Sequence, residues 1–127
     1  MRFPKRPALA GLLFLAAAHA FAGEQPFDQK AFDDLRAAHK PVVVFVHANW
    51  CATCKRQQEI LDGLLAQPPY QSLTVLRVDY DAQKAEQKAL GVANRSTLVA
   101  FKDGAEVERS VADTQPDHLA ALLRKAL

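Results

Sequence analysis

The sequence predicts one α/β domain built on a central mixed four-stranded sheet with helices on both faces. Three observations predict it. Val42-Val43-Val44-Phe45-Val46 is a continuous β-branched and aromatic run, the pattern of a strand buried on both faces. A helical stretch and a second apolar run, Leu73 to Asp79, follow it, so two strands joined by a helix form a parallel pair. Asp103-Gly104, set between Thr97–Phe101 and Val107–Val111, is a tight-turn signal that adds an antiparallel hairpin. With 127 residues the chain is long enough for one compact domain and not two.

The first 22 residues read as a secretory signal and residues 23–127 as the domain. Arg2, Lys5 and Arg6 give a basic start, and an apolar run from Ala8 to Ala18 follows. Ala20-Phe21-Ala22 fits a small-x-small cleavage site, with the cut placed after Ala22; Ala18-His19-Ala20 is a second candidate. The run falls short of the roughly 20 apolar residues of a spanning helix, which leaves a retained N-terminal anchor as the lesser alternative. No Cys near the cut could carry a lipid. The expected location is the periplasm or the exterior.

Removing the signal reverses the charge balance. Three of the 16 Lys and Arg lie in it, which leaves thirteen against 14 Asp and Glu, a net of about −1. No basic run survives to suggest nucleic acid as a partner.

Asp28 can cap a helix that runs through Ala31, Phe32, Leu35 and Arg36, and His39-Lys40-Pro41 ends it. After the buried strand, Ala48-Asn49-Trp50 breaks the run. A helix then opens at Cys51, carries Ile60, Leu61, Leu64 and Leu65 on one face, and stops at Pro68-Pro69. Tyr80 to Leu90 reads as a polar surface helix closed by Gly91. Thr114 and Asp117 read as a capping-box-like start for a last helix that bears Leu119, Leu122, Leu123 and Leu127.

Cys51 and Cys54 are the only cysteines, and they sit where the buried strand meets the helix. A helix start offers unpaired N–H groups and partial positive charge, and both favour a thiolate over a thiol. Cysteines so placed become nucleophiles near neutral pH. Cys54 lies one turn in, on the same face, close enough to bond to Cys51. Lys55 and Arg56 add positive charge nearby. The expected cycle has Cys51 attack a partner disulfide and Cys54 resolve the mixed disulfide. A bridge closing so small a loop removes little chain entropy, so stability does not explain the pair. A c-type haem site needs His directly after the second Cys, where this chain has Lys55. A structural zinc site needs four ligands, and beyond the signal only His39, His47 and His118 accompany the pair. Metal binding and an inert structural pair stay open as lesser readings.

Ala48-Asn49-Trp50-Cys51-Ala52-Thr53-Cys54-Lys55 resembles the Ala-x-Trp-Cys-x-x-Cys-Lys segment of the thioredoxin family. Gly91-Val92 and the stretch from Thr97 to Gly104 resemble the family's third strand and hairpin. The resemblance runs roughly from Phe32 to Leu123, with the family's leading strand absent or very short. It implies a thioredoxin-like fold and a thiol–disulfide oxidoreductase that exchanges electrons with protein disulfides or dithiols. Cys51 and Cys54 are then the catalytic, redox-active pair. Trp50, Arg95, Ser96 and Thr97 line the substrate groove, and His47 and Lys55 tune the thiol. The resemblance implies no cofactor, no metal and a monomer.

Three departures from the family pattern bear on function. Ser96 stands where the family usually has a cis-proline. A cis bond there would cost roughly 2.5–4 kcal/mol without proline, so Arg95–Ser96 is expected to be trans. The serine also places a hydroxyl near the cysteines, and it leaves open whether the loop is merely different or the function altered. Phe45 stands where the family carries a buried acid that takes a proton as the second cysteine attacks. Glu59 stands where the family has a helix-kinking proline. In addition, His47 replaces an aromatic residue just before the Ala-x-Trp-Cys segment, where it could titrate.

Ala52 and Thr53, between the cysteines, include no His of the kind that stabilises the thiolate of strong oxidants. Their absence favours a reductant or carrier, which the resemblance would supply with electrons from a membrane-embedded thiol electron transporter. The competing expectation is a copper-handling protein that uses Cys51, Cys54 and His47 on soft Cu(I). A peroxidase reading lacks the Thr-x-x-Cys arrangement, since Thr53 directly precedes Cys54.

Overall fold

A computed structural model describes residues 2–4, 11 and 23–127. The signal reading falls on residues 1–22, which lie almost wholly outside the described residues. Among the described residues, no helix is long and apolar enough to cross a membrane.

The elements run β1 (Gly23–Pro26), α1 (Gln29–Ala37), β2 (Val42–His47), α2 (Ala52–Leu65), a 3₁₀ turn (Pro68–Tyr70), β3 (Thr74–Asp79), α3 (Lys84–Ala89), β4 (Thr97–Lys102), β5 (Ala105–Val111) and α4 (Pro116–Ala126). They form a five-stranded sheet in the order β1-β3-β2-β4-β5. β1 and β2 pair with β3 in parallel, and β4 runs antiparallel to both β2 and β5. The sheet thus has one strand more than the four expected. Gly23–Pro26 lacks alternating apolar residues because it docks through its backbone as an edge strand. An edge strand also tolerates Pro26.

Val42 to Val46 lie at the centre of the sheet and are fully buried. Alternation sends Val43 and Phe45 to one face, where they pack with Leu61 of α2 and with Leu119, Leu122 and Leu123 of α4. It sends Val42, Val44 and Val46 to the other face, against Phe27, Phe32 of α1 and Phe101. Helices therefore cover both faces, and the cysteines sit on the α2 side.

Two helix boundaries differ from the sequence expectation. The helix expected over Tyr80–Leu90 begins only at Lys84. Before it, Asp79 Oδ1 accepts the N–H groups of Asp81 and Ala82 (2.9 and 3.0 Å), a local turn that competes with helix. Gly91 closes the helix with φ +64°. The Thr114–Asp117 box does not form. Gln115 holds the cap position with no side-chain cap bond and Pro116 follows, so the first turn lacks one N–H to satisfy.

Asp103 and Gly104 (φ +51° and +82°) make the β4–β5 turn, and Arg36 donates two bonds to the Gly104 carbonyl (3.0 and 2.7 Å). A Cβ at Gly104 would stand 3.2 Å from the Arg36 carbonyl oxygen. Gly104→Ala is therefore expected to lower the unfolding free energy by about 1–2 kcal/mol, read from urea denaturation.

Candidate functional site

Cys51 is the residue that caps α2. Its backbone is extended (φ −89°, ψ 111°), and its carbonyl accepts the first helical bond, from Lys55 (3.0 Å). Its sulfur accepts the N–H of Cys54 at 3.2 Å, the position a Ser or Asp oxygen takes in an ordinary N-cap. Both thiols are free. Cys54 is completely buried and Cys51 is 4% exposed, so the first cysteine is the one that meets solvent.

Ser96 enters from the loop before β4. Its peptide bond is trans, as expected, and its backbone is left-handed (φ +59°), a conformation that is strained for a residue with a Cβ. Three bonds hold it there. Its N–H donates to Val46 (2.8 Å), and its carbonyl accepts from the Gln57 amide (3.0 Å) and from the Ala112 N–H (2.9 Å). Its hydroxyl oxygen then lies 3.2 Å from the Cys51 sulfur and 3.1 Å from the Cys54 sulfur. Proline at this position would need φ near −65° and would lose the bond to Val46, so restoring the family residue alone does not restore the family loop.

Burial pushes the Cys51 thiol up. Hydrogen bonds from the Cys54 side chain, the Ser96 hydroxyl, the Cys54 N–H and Arg95 outweigh it and bring the thiol from its ordinary 9.0 down to about 7. Cys54 moves the opposite way, raised first by burial and then by its bond to Cys51. The pair is thus divided into a nucleophile and a protonated reserve. His47 and Lys55 are not among the principal groups acting on Cys51. Burial, followed by the Arg77 charge, lowers the His47 imidazole, so it is neutral at pH 7. Phe45 belongs to the same buried apolar cluster as both cysteines, and α2 runs unbroken through Glu59, whose carboxylate meets Arg56 at 3.2 Å.

On the surface, Trp50 is 58% exposed. Its indole N–H donates to Asp81 (2.8 Å), its ring meets Tyr80 edge-on, and the Arg95 guanidinium stacks over it at 4.8 Å. The structure thus brings Trp50, Arg95 and Ser96 around Cys51. Thr97 is buried, and its hydroxyl bonds the Asn94 carbonyl (2.7 Å) inside the loop.

Sequence reasoning passed over three residues here. Gln57 is fully buried on the face of α2 that carries Cys54 and Leu61; besides Ser96, its amide donates to the Asp113 carbonyl (3.0 Å). A polar residue three after Cys54 on an otherwise apolar stripe was the available signal. Asp81 orients Trp50, and Ala112 takes φ +59°; neither carries a local pattern.

A low-pKa thiol at a helix start, with a second thiol one turn in, defines a thiol–disulfide oxidoreductase site. The thioredoxin family model matches residues 24–125. A thioredoxin from Chlamydia trachomatis is 37% identical over 101 residues, 80% of this chain and 96% of the relative. One from Chlamydia muridarum is 42% identical over 84 residues, 66% of this chain and 80% of the relative. The solved structure of Trxlp from Edwardsiella tarda is 40% identical, with a TM-score of 0.77, over 80% of this chain and 98% of that one. The chain belongs to the thioredoxin family and is a thiol–disulfide oxidoreductase.

Because thiolate forms as pH rises, alkylation of Cys51 by iodoacetamide is expected to climb through pH about 7 and level off above it. An ordinary thiol would climb nearly two units later. Ala112→Gly relieves a left-handed alanine and should raise the unfolding free energy by about 1 kcal/mol in urea denaturation.

Proposed function

We propose that the protein works outside the cytoplasm as a reductant or electron carrier for protein disulfides, not as a strong oxidant. The observation that carries this reading is the Cys51 thiol, lowered only to about 7. Strong disulfide oxidants hold this thiol near 3.5 and thioredoxin near 7, because stabilising the thiolate stabilises the reduced form and raises the potential. Ala52 and Thr53 between the cysteines agree with a mild site. Export rests on the basic start, apolar run and Ala20-Phe21-Ala22 of the leader. Acting as a monomer in an oxidising compartment, the carrier would draw electrons from a membrane-embedded thiol transporter. Trp50 and the Arg95–Ser96 backbone would receive the client.

Equilibration with glutathione should give a potential near −270 mV, and a value near −120 mV would overturn the direction. Cys54→Ser should trap mixed disulfides with client proteins while Cys51→Ser traps none.

A copper-handling role would draw on the two neighbouring thiols, soft ligands that suit Cu(I), and on His47, with Ser96 standing in the proline's place beside the sulfurs. Tight Cu(I) binding lost on either Cys→Ala, with negligible insulin-disulfide reduction, would favour it.

A further inference from the structure

The buried thiol has to lose a proton before it can attack, and its surroundings offer little help. Cys54 shares a buried apolar cluster with Phe45, Leu61, Leu98 and Leu123. The side-chain groups at its sulfur are the Cys51 sulfur and the Ser96 hydroxyl, with the Ala48 backbone beside them. Once Cys51 is joined to a partner, its sulfur is neutral and no longer calls on the hydroxyl. The hydroxyl can rotate, and it already stands at nearly equal distances from both sulfurs, 3.2 and 3.1 Å. It is held there by a strained backbone pinned on three sides, the kind of outlier found at functional sites.

We propose that Ser96 is a catalytic residue whose hydroxyl serves the two sulfurs in turn, donating to Cys51 in the free dithiol and to Cys54 in the mixed disulfide. This deepens the exchange reading, on which it rests. In the second step a lone pair of the Cys54 sulfur forms the Cys51–Cys54 bond. The bond between Cys51 and the partner sulfur breaks, and its electron pair leaves with the partner. The proton shed by Cys54 passes to water and ends on the departing thiol. Over the cycle the dithiol loses two electrons and the partner disulfide gains them. The hydroxyl neither gains nor loses a proton; it stabilises whichever sulfur carries charge.

The test uses the reduced protein mixed rapidly with excess oxidised glutathione, quenched with acid at timed intervals and weighed by mass spectrometry. This separates formation of the Cys51–glutathione mixed disulfide from its resolution by Cys54. Ser96→Ala removes the hydroxyl. Ser96→Gly removes it too and eases the left-handed backbone, so it keeps the test valid if the alanine variant folds poorly. Resolution is expected to slow about tenfold to a hundredfold in both, the range for losing one hydrogen bond to a charged group, and by at least about threefold. Slowing of less than about threefold in Ser96→Gly overturns the proposal. Should the wild type itself fail to resolve the mixed disulfide, the exchange reading fails first, and the two failures are told apart.

Discussion

The site is built on the contact in which the Cys51 sulfur accepts the N–H of Cys54 at the first turn of α2. A helix start presents donors that need an acceptor, and here the acceptor is the reacting atom. The interaction that completes the helix therefore joins the Cys54 side chain, the Ser96 hydroxyl and Arg95 in holding negative charge on the nucleophile. The buried β2 aims the chain at this point, α2 carries the second thiol one turn beyond, and the loop before β4 brings the hydroxyl across.

The environment divides the two sulfurs although their chemistry is the same. Cys51 gathers donors and Cys54 is sunk in apolar packing, so one titrates low and the other high. Phe45 shares the buried apolar cluster of both cysteines and offers no polar group to either. Ser96 favours the charged form of both, and apart from the cysteines themselves it is the one side chain that touches both sulfurs among the described residues.

The parts legible in the sequence were those with a period or a turn chemistry. Val42–Val46 declared the central strand, Asp103-Gly104 the hairpin, and the spacing of Leu119, Leu122 and Leu123 the closing helix. The cysteine pair was legible because it followed a buried strand. What escaped had backbone causes. The strand Gly23–Pro26 has no side-chain pattern, the turn capped by Asp79 overrode a helical stretch, and Pro116 replaced a capping box. Ser96 was legible as a substitution, but its bridge between the sulfurs depends on a left-handed φ that no residue type announces.

The sulfur cap ties folding to oxidation state. A thiolate is a good acceptor for the Cys54 N–H, and a disulfide sulfur is a poor one, so the two oxidation states present α2 with unequal caps. Thermodynamic closure then requires that any preference of the folded chain for the dithiol reappear as an upward displacement of its reduction potential from that of an unstructured peptide. For this two-electron couple, 30 mV corresponds to about 1.4 kcal/mol. Unfolding the two oxidation states separately would measure the same quantity as an electrode.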